Sequence, residues 1–290
     1  MRRVTVKAPA KLNLSLAVRG LTDAGYHTMD MVMQAVDVWE TVDIAKSDGY
    51  SLQLPGSPVP PNEKNTATKA AKVFFTELGP LAGCSIVVHK TVPTRAGLAG
   101  GSADAAAVLL GLNELYGARL STAELCHLGL AVGADVPFSL LGGTARVSGI
   151  GDVLAPLPPL PDCWFSIAMP AGGVSTPAAF ARFDEVGSPL SPNLDAAEAA
   201  ICAGDLAALA PQMQNMLEHA SGNKTTALLR GIMDAHGALA SAMTGSGAAV
   251  FGLFSHRQKA EAASTAARPH AVKVFTARPV SHGAAVTCKD

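Results

Sequence analysis

The stretch PTRAGLAGGSADAAAVLLGL, Pro93 to Leu112, strips its side chains away just before an apolar helical pattern begins. Glycine costs backbone entropy on folding, so a cluster of it answers a geometric need. Bare N–H groups at a helix start can wrap an anion, and the helix dipole adds partial positive charge there. A tight turn with close helix packing is the other reading of these residues. The spacing fits neither the G-x-x-x-x-G-K-[ST] phosphate loop nor the G-x-G-x-x-G dinucleotide fingerprint. Thr244-Gly245-Ser246-Gly247 is a second small-residue turn with the same two readings: phosphate binding or a plain turn. Lys11, near a proline at a strand start, is a solvated surface group or a functional cation. Asp135 in GADVPF is a turn former or a base. Tyr26-His27 follows a glycine, and the pair either holds a planar ring or simply packs.

These residues depend on the elements around them. In LNLSLAV the residues Leu12, Leu14, Leu16 and Val18 alternate onto one face, which predicts a strand with one buried side. Lys11, Asn13 and Ser15 then share the opposite face. MVMQAVDVWETVDIA continues as strand, and the proline-rich loop Pro55 to Asn65 leads into a helix from Thr66 to about Glu77. CSIVVHKTVP predicts a strand ending at Pro93. Ser102 suits a helix N-cap and Asp104 the positive end of the dipole. Ala105, Val108, Leu109, Leu112 and Leu115 recur at helical spacing up to Gly117. Ser121 and Glu124 form a capping box for a helix ending near Gly133, with Pro137 opposing continuation. LAPLPPLPD, Leu154 to Asp162, reads as a domain boundary. Beyond it the pattern gives a strand at Trp164 to Met169 and helices at Leu194 to Leu209 and Thr225 to Ala235. A strand at Ala248 to Phe254, a helix at Arg257 to Ala267 and a strand at Val272 to Ala277 follow. Mixed strands and helices without strict βαβ alternation predict an α+β fold in two lobes, 1–155 and 156–290.

With 49% hydrophobic and 16% charged residues, the 290-residue chain can bury a large core, which excludes a disordered protein. A formal net charge of -1 supplies no global field to attract nucleic acid or a membrane surface, so neither is an expected partner. No window offers the roughly 20 apolar residues of a membrane span. MRRVTVKAPAKLNLSL lacks the sustained apolar segment of a signal peptide. The five cysteines are scattered and form no C-x-x-C, so the expectation is reduced thiols in a cytoplasmic protein.

Taken in order, PAKLNL, GYH, the P-x-x-x-G-L-A-G-G-S loop, GADVPF and TGSG resemble the GHMP kinase superfamily, over nearly the whole chain. The set is most similar to its members that phosphorylate a cytidine-diphosphate-bearing polyol in non-mevalonate isoprenoid synthesis. That resemblance implies a ribosomal-S5-domain-2-like N-terminal lobe, a ferredoxin-like C-terminal lobe and an active site in the cleft between them. It implies ATP and Mg²⁺ as cofactors, with Ser102 and Asp104 at the helix start as the candidate magnesium ligands, a small-molecule substrate carrying a cytidine diphosphate group, and a monomer or weak homodimer. By resemblance Pro93, Gly97, Leu98, Ala99, Gly100, Gly101, Ser102 and Ala103 would hold the ATP phosphates, with Asn65 in the adenine pocket. Asp135 would be the base and Lys11 its partner. Asn13, Tyr26, His27, Phe180, Thr244, Gly245 and Ser246 would bind the substrate, with cytosine sandwiched between Tyr26 and Phe180 and read by His27. Arg95-Ala96 departs from the small residues usual in that family; a positive φ at Arg95 would be costly, and its side chain could instead reach a phosphate. T-D-A-G-Y-H likewise replaces the family's R-x-D-G-Y-H. The rival readings are another kinase of this superfamily such as a homoserine kinase, a nucleotide-binding module without catalysis, and a nicotinamide dehydrogenase.

Overall fold

Two long strands make the frame of the protein, whose computed structural model describes residues 2–79 and 83–290. β1 (Arg3–Leu21) and β2 (His27–Lys46) pair antiparallel along almost their whole length. The chain continues through β3 (Ser51–Gln53), α1 (Thr66–Leu78), β4 (Cys84–His89), α2 (Gly100–Tyr116), α3 (Thr122–Leu130) and α4 (Val136–Leu141) to β5 (Thr144–Gly149) and β6 (Val153–Leu157). One sheet runs β11-β1-β2-β4-β3, with β5 on the other stretch of β2 and β6 beyond it. β11 (Ala285–Lys289) is thus the last strand of the chain in the same sheet as the first. It was not foreseen from sequence, and neither were β5 and β6. The intervening elements are β7 (Trp164–Met169), α5 (Thr176–Val186), α6 (Leu194–Cys202), α7 (Leu206–Leu209), α8 (Lys224–Ala235), β8 (Ala240–Met243), β9 (Val250–Phe254), α9 (Arg257–Ala267) and β10 (Lys273–Ala277). Their strands form a second, antiparallel sheet in the order β10-β7-β9-β8.

The expected one-sided strand at Leu12–Val18 is buried on both faces. Leu12 and Leu14 enter a core with Phe165, Ile167 and Phe251 of the second sheet, while Lys11, Asn13 and Ser15 are buried opposite. A bulge between Asn13 and Ser15 then shifts the register, and Leu16 lines the same cleft as Lys11 and Asn13. One extra residue flips every later side chain, which is why simple alternation misplaces Leu16 and Val18. Pro137, expected to stop a helix, lies in the first turn of α4 instead, where its missing N–H costs nothing. The helix expected over 194–209 is split at Gly204, after which Asp205 caps α7. α5, unforeseen, starts at a Ser175-Thr176-Pro177 signal and ends at Gly187.

Main-chain bonds tie the first sheet to segments outside the strands of the second. Leu16 N–H donates to Gln214, Met216 N–H to Leu16, Asp37 N–H to Arg278, and Val280 N–H to Ala35. Position 155/156 falls within β6, and the proline-rich segment after it carries the chain across to β7.

Candidate active site

A cleft of about 610 Å³ opens where the first sheet meets the second. Its floor is β1, presenting Lys11 and Asn13. One wall is the glycine loop before α2, and the other comes from residues 174–177, Phe180 and the turn at Gly245-Ser246.

Three residues of the loop are left-handed: Arg95 (φ 55°), Gly97 (φ 77°) and Ala99 (φ 57°). Ala99, rather than Ser102, is the N-cap of α2, and no side chain caps the helix. Ser102 lies in the first turn and lines the cleft beside Gly100 and Gly101; its N–H and that of Ala103 turn back to the Ala99 carbonyl, while those of Gly100 and Gly101 have no acceptor among the described residues. This is the anion-binding arrangement of a helix start. Pro93, Leu98 and Ala99 complete this wall, whereas Ala103 is fully buried behind it.

The second small-residue turn locks the first. A Cβ on Gly97 would sit 2.0 Å from the Thr244 carbonyl oxygen, so only glycine permits the approach. The Thr244 hydroxyl donates to the Gly97 carbonyl (3.2 Å) and accepts from the Asn13 N–H (3.0 Å). Thr244 is therefore a buried tie between β1 and both turns; Gly245 and Ser246 reach the cleft surface. Asn215 holds the turn by donating from Nδ2 to the carbonyls of Met243 and Gly245, each at 2.8 Å. Nothing in the sequence around Asn215 signals this role.

Lys11 and Asp135 meet across the floor. Lys11 Nζ is 3.7 Å from Asp135 Oδ2 and donates to Asn13 Oδ1 at 2.5 Å. The ammonium side chain is 5% exposed and the carboxylate 34%, so the cation is held and the anion stays open to the cleft. Asp135 occupies the N-cap position of α4 but makes no side-chain cap, which leaves its carboxylate for other partners.

The aromatic end differs from the sandwich expected from sequence. Tyr26 is 67% exposed and does not line the cleft. His27 instead stacks on Phe180 (centroids 4.4 Å apart, planes at 19°), packs edge-on to Phe183, and holds Asp184 Oδ1 at 2.8 Å. The imidazole thus takes one face of Phe180 for itself. Asn65 caps α1: its Oδ1 accepts from the Ala67 N–H, and its Nδ2 donates to the Pro60 carbonyl. It does not line the cleft, although its neighbour Thr66 donates to the Gly101 carbonyl at 2.7 Å.

Sequence reasoning missed a buried charge cluster behind the loop. Lys90, which does line the cleft, donates to Glu40 Oε1 (2.5 Å) and Asp104 Oδ2 (2.6 Å). Glu40, fully buried, also accepts the N–H groups of Thr91 and Val92, fixing the chain that leads into the loop. Burial pushes the Asp104 carboxyl up to about 7, against the lowering pull of Lys90, and Glu40 adds to the rise. Two carboxylates share one cation, so the second negative charge lacks a counter-ion. The only sequence cue was a lysine at the end of the alternating strand CSIVVHK.

Asp104 is 3% exposed and committed to Lys90, which leaves Ser102 as the candidate metal-contacting side chain of the pair named from sequence. No group of three or more His, Cys, Asp or Glu side chains among the described residues could hold a metal by itself. Among the described residues no helix is long and apolar enough to cross a membrane.

The chain matches the models for the GHMP kinases N terminal domain over residues 65–143 and the GHMP kinases C terminal over residues 197–272. A 4-diphosphocytidyl-2-C-methyl-D-erythritol kinase of Alkaliphilus metalliredigens is 38% identical over 91% of this chain and 92% of its own length. The enzyme of that name from Caldicellulosiruptor saccharolyticus is 41% identical over 88% and 89%. A crystal structure of a 4-(cytidine 5'-diphospho)-2C-methyl-D-erythritol kinase superposes with a TM-score of 0.79 at 32% identity, covering 95% of this chain and 98% of that one. A homoserine kinase of Cytophaga hutchinsonii shares the fold, with a TM-score of 0.78 at 21% identity over 99% and 98%.

Proposed function

The chain belongs to the 4-diphosphocytidyl-2-C-methyl-D-erythritol kinase family of the GHMP kinases, and from that membership we propose that it transfers the γ-phosphoryl group of ATP to the 2-hydroxyl of 4-diphosphocytidyl-2-C-methyl-D-erythritol. The product is the 2-phosphate, and the reaction belongs to non-mevalonate isoprenoid precursor synthesis. The observation that supports this most is the juxtaposition of Lys11 and Asp135, 3.7 Å apart, in the cleft that the bare helix start also lines.

Phosphoryl transfer asks the protein for in-line positioning and charge stabilisation. The glycine loop and the first turn of α2 supply N–H donors for the triphosphate. Asp135 accepts the hydroxyl proton as the acceptor oxygen bonds to the γ-phosphorus and the bond to the ADP oxygen breaks. Lys11 stabilises the developing oxyanion. Asn13 fixes the ammonium through its 2.5 Å contact. Magnesium, when bound, neutralises phosphate charge, and Ser102 would hold it on the protein side. Residues 174–177 and Phe180 bound the substrate end, where His27 and Phe180 would meet the cytosine. Since His27 already covers one face of Phe180, cytosine would stack on the other face or displace the imidazole.

ADP formation from Mg-ATP tests this reading, with 4-diphosphocytidyl-2-C-methyl-D-erythritol, homoserine and mevalonate as parallel acceptors. Turnover of the cytidine compound alone is expected. ADP from homoserine or mevalonate instead would keep phosphoryl transfer and overturn the acceptor.

A further inference from the structure

Arg95 is the residue of the cleft whose conformation and chemistry are least explained by folding. It is a non-glycine residue with φ 55°, a left-handed conformation that strains any side chain bearing a Cβ. Its guanidinium makes no hydrogen bond, ion pair or ring contact with any described residue, although it lines the cleft. The strain is thus not repaid by a side-chain partner within the fold.

The backbone around Arg95 is closely held. A Cβ on Gly173 would sit 2.5 Å from the Arg95 Cβ and 2.8 Å from its carbonyl oxygen, so Arg95 packs directly on the segment leading into α5. That segment carries Ser175, Thr176 and, one turn on, Phe180 along the cleft. Two residues beyond Arg95, Gly97 packs on the turn that approaches Lys11 Nζ. Arg95 therefore stands where the nucleotide loop meets the substrate wall of the cleft that the Lys11–Asp135 pair and Phe180 also line. A guanidinium matches phosphate oxygens by two parallel N–H donors and stays charged at any working pH.

We propose that Arg95 is a phosphate-binding residue of this cleft: its side chain reaches from the strained turn to a phosphate of the bound reactants and neutralises part of their charge. The inference rests on the phosphoryl-transfer reading above. Two phosphate sources share this chemistry, the ATP triphosphate and the diphosphate of the cytidine substrate, and the test separates them.

Calorimetric titration of the whole protein with a Mg-bound, non-hydrolysable ATP analogue, and separately with CDP, would be compared for wild type, Arg95→Asn and Arg95→Lys. Asparagine tolerates a positive φ, so the main chain is kept while the cation is removed. A charge-assisted bond is worth enough that Arg95→Asn is expected to weaken one of the two probes about tenfold or more. Arg95→Lys should retain part of that affinity, and the thermal midpoint of Arg95→Asn should not fall. Weakening confined to the ATP analogue assigns Arg95 to the nucleotide, and weakening confined to CDP assigns it to the substrate diphosphate. Affinities within twofold of wild type for both probes would overturn the proposal. If wild type phosphorylates no cytidine substrate while Arg95→Asn still loses ATP-analogue affinity, the acceptor reading falls and Arg95 stands.

Discussion

Asp135 sits at the start of a helix yet caps nothing, an unusual economy for an aspartate in that position. Its carboxylate faces the cleft with a nearly buried lysine beside it. Asp135→Asn keeps the shape and removes the proton acceptor, so kcat should fall by about 10²–10⁴-fold with KM for both substrates little changed. Steady-state kinetics checks this, and near-normal turnover would remove Asp135 from the mechanism. Asp104 makes a different prediction because it is spent on structure. Burial raises its carboxyl from 3.8 to about 7, so the folded protein keeps a proton that the unfolded chain releases. The stability this group contributes is complete below about pH 4 and is lost as pH rises through about 7. Asp104→Asn should flatten that dependence. The drop in thermal midpoint between pH 5 and pH 8 should be smaller for the variant, and parallel curves would contradict the assignment.

At the scale of the element, two helix starts show how differently the same geometry is used. α3 begins with a complete capping box, Ser121 accepting from the Glu124 N–H while the Glu124 carboxylate receives the Ser121 N–H. α2 begins bare at a left-handed alanine. Ser121→Ala should cost about 1 kcal/mol in urea unfolding and leave the kinetic constants alone. Gly97→Ala places a methyl against the Thr244 carbonyl at a positive φ. It should cost about 2 kcal/mol or more and also impair ATP binding, because the loop and the TGSG turn must part. Equal kinetic behaviour of the two variants would mean that the loop's contact with Thr244 does not shape the nucleotide site.

For the whole molecule, the cleft walls come from two sheets that share one core. Leu12, Leu14 and Val36 of the first pack with Phe165, Ile167 and Phe251 of the second, and main-chain bonds join the first to the segments at 214–216 and 278–280. Each sheet holds one tryptophan, Trp39 in β2 and Trp164 in β7. Single-tryptophan variants, Trp39→Phe and Trp164→Phe, should therefore report the same urea midpoint within the difference in their own stabilities. Two separated transitions, one per probe, would show that the sheets unfold independently. A shared core also holds Lys11 of β1 and Asp135 at the start of α4 in register with Phe180 and Gly245 on the other side, which a reaction sensitive to ångström-scale displacement requires.

Local chemistry was legible in the sequence wherever it depends on neighbours along the chain. The bare glycine loop, the Ser121–Glu124 box, the helix at 257–267 and the strand at 164–169 follow from spacing and turn residues, because short-range sterics and caps decide them. The order of the motifs pointed to the family. Tertiary structure alone decided what depends on distant partners. It brought Lys11 to Asp135 across 124 positions of sequence, tied Gly97 to Thr244, and buried Glu40 and Asp104 around Lys90. It also gave Asn65 to a helix cap and laid His27 on Phe180. Periodicity reports which face of an element is apolar; it carries no record of which element will cover that face, and the site is made of such meetings.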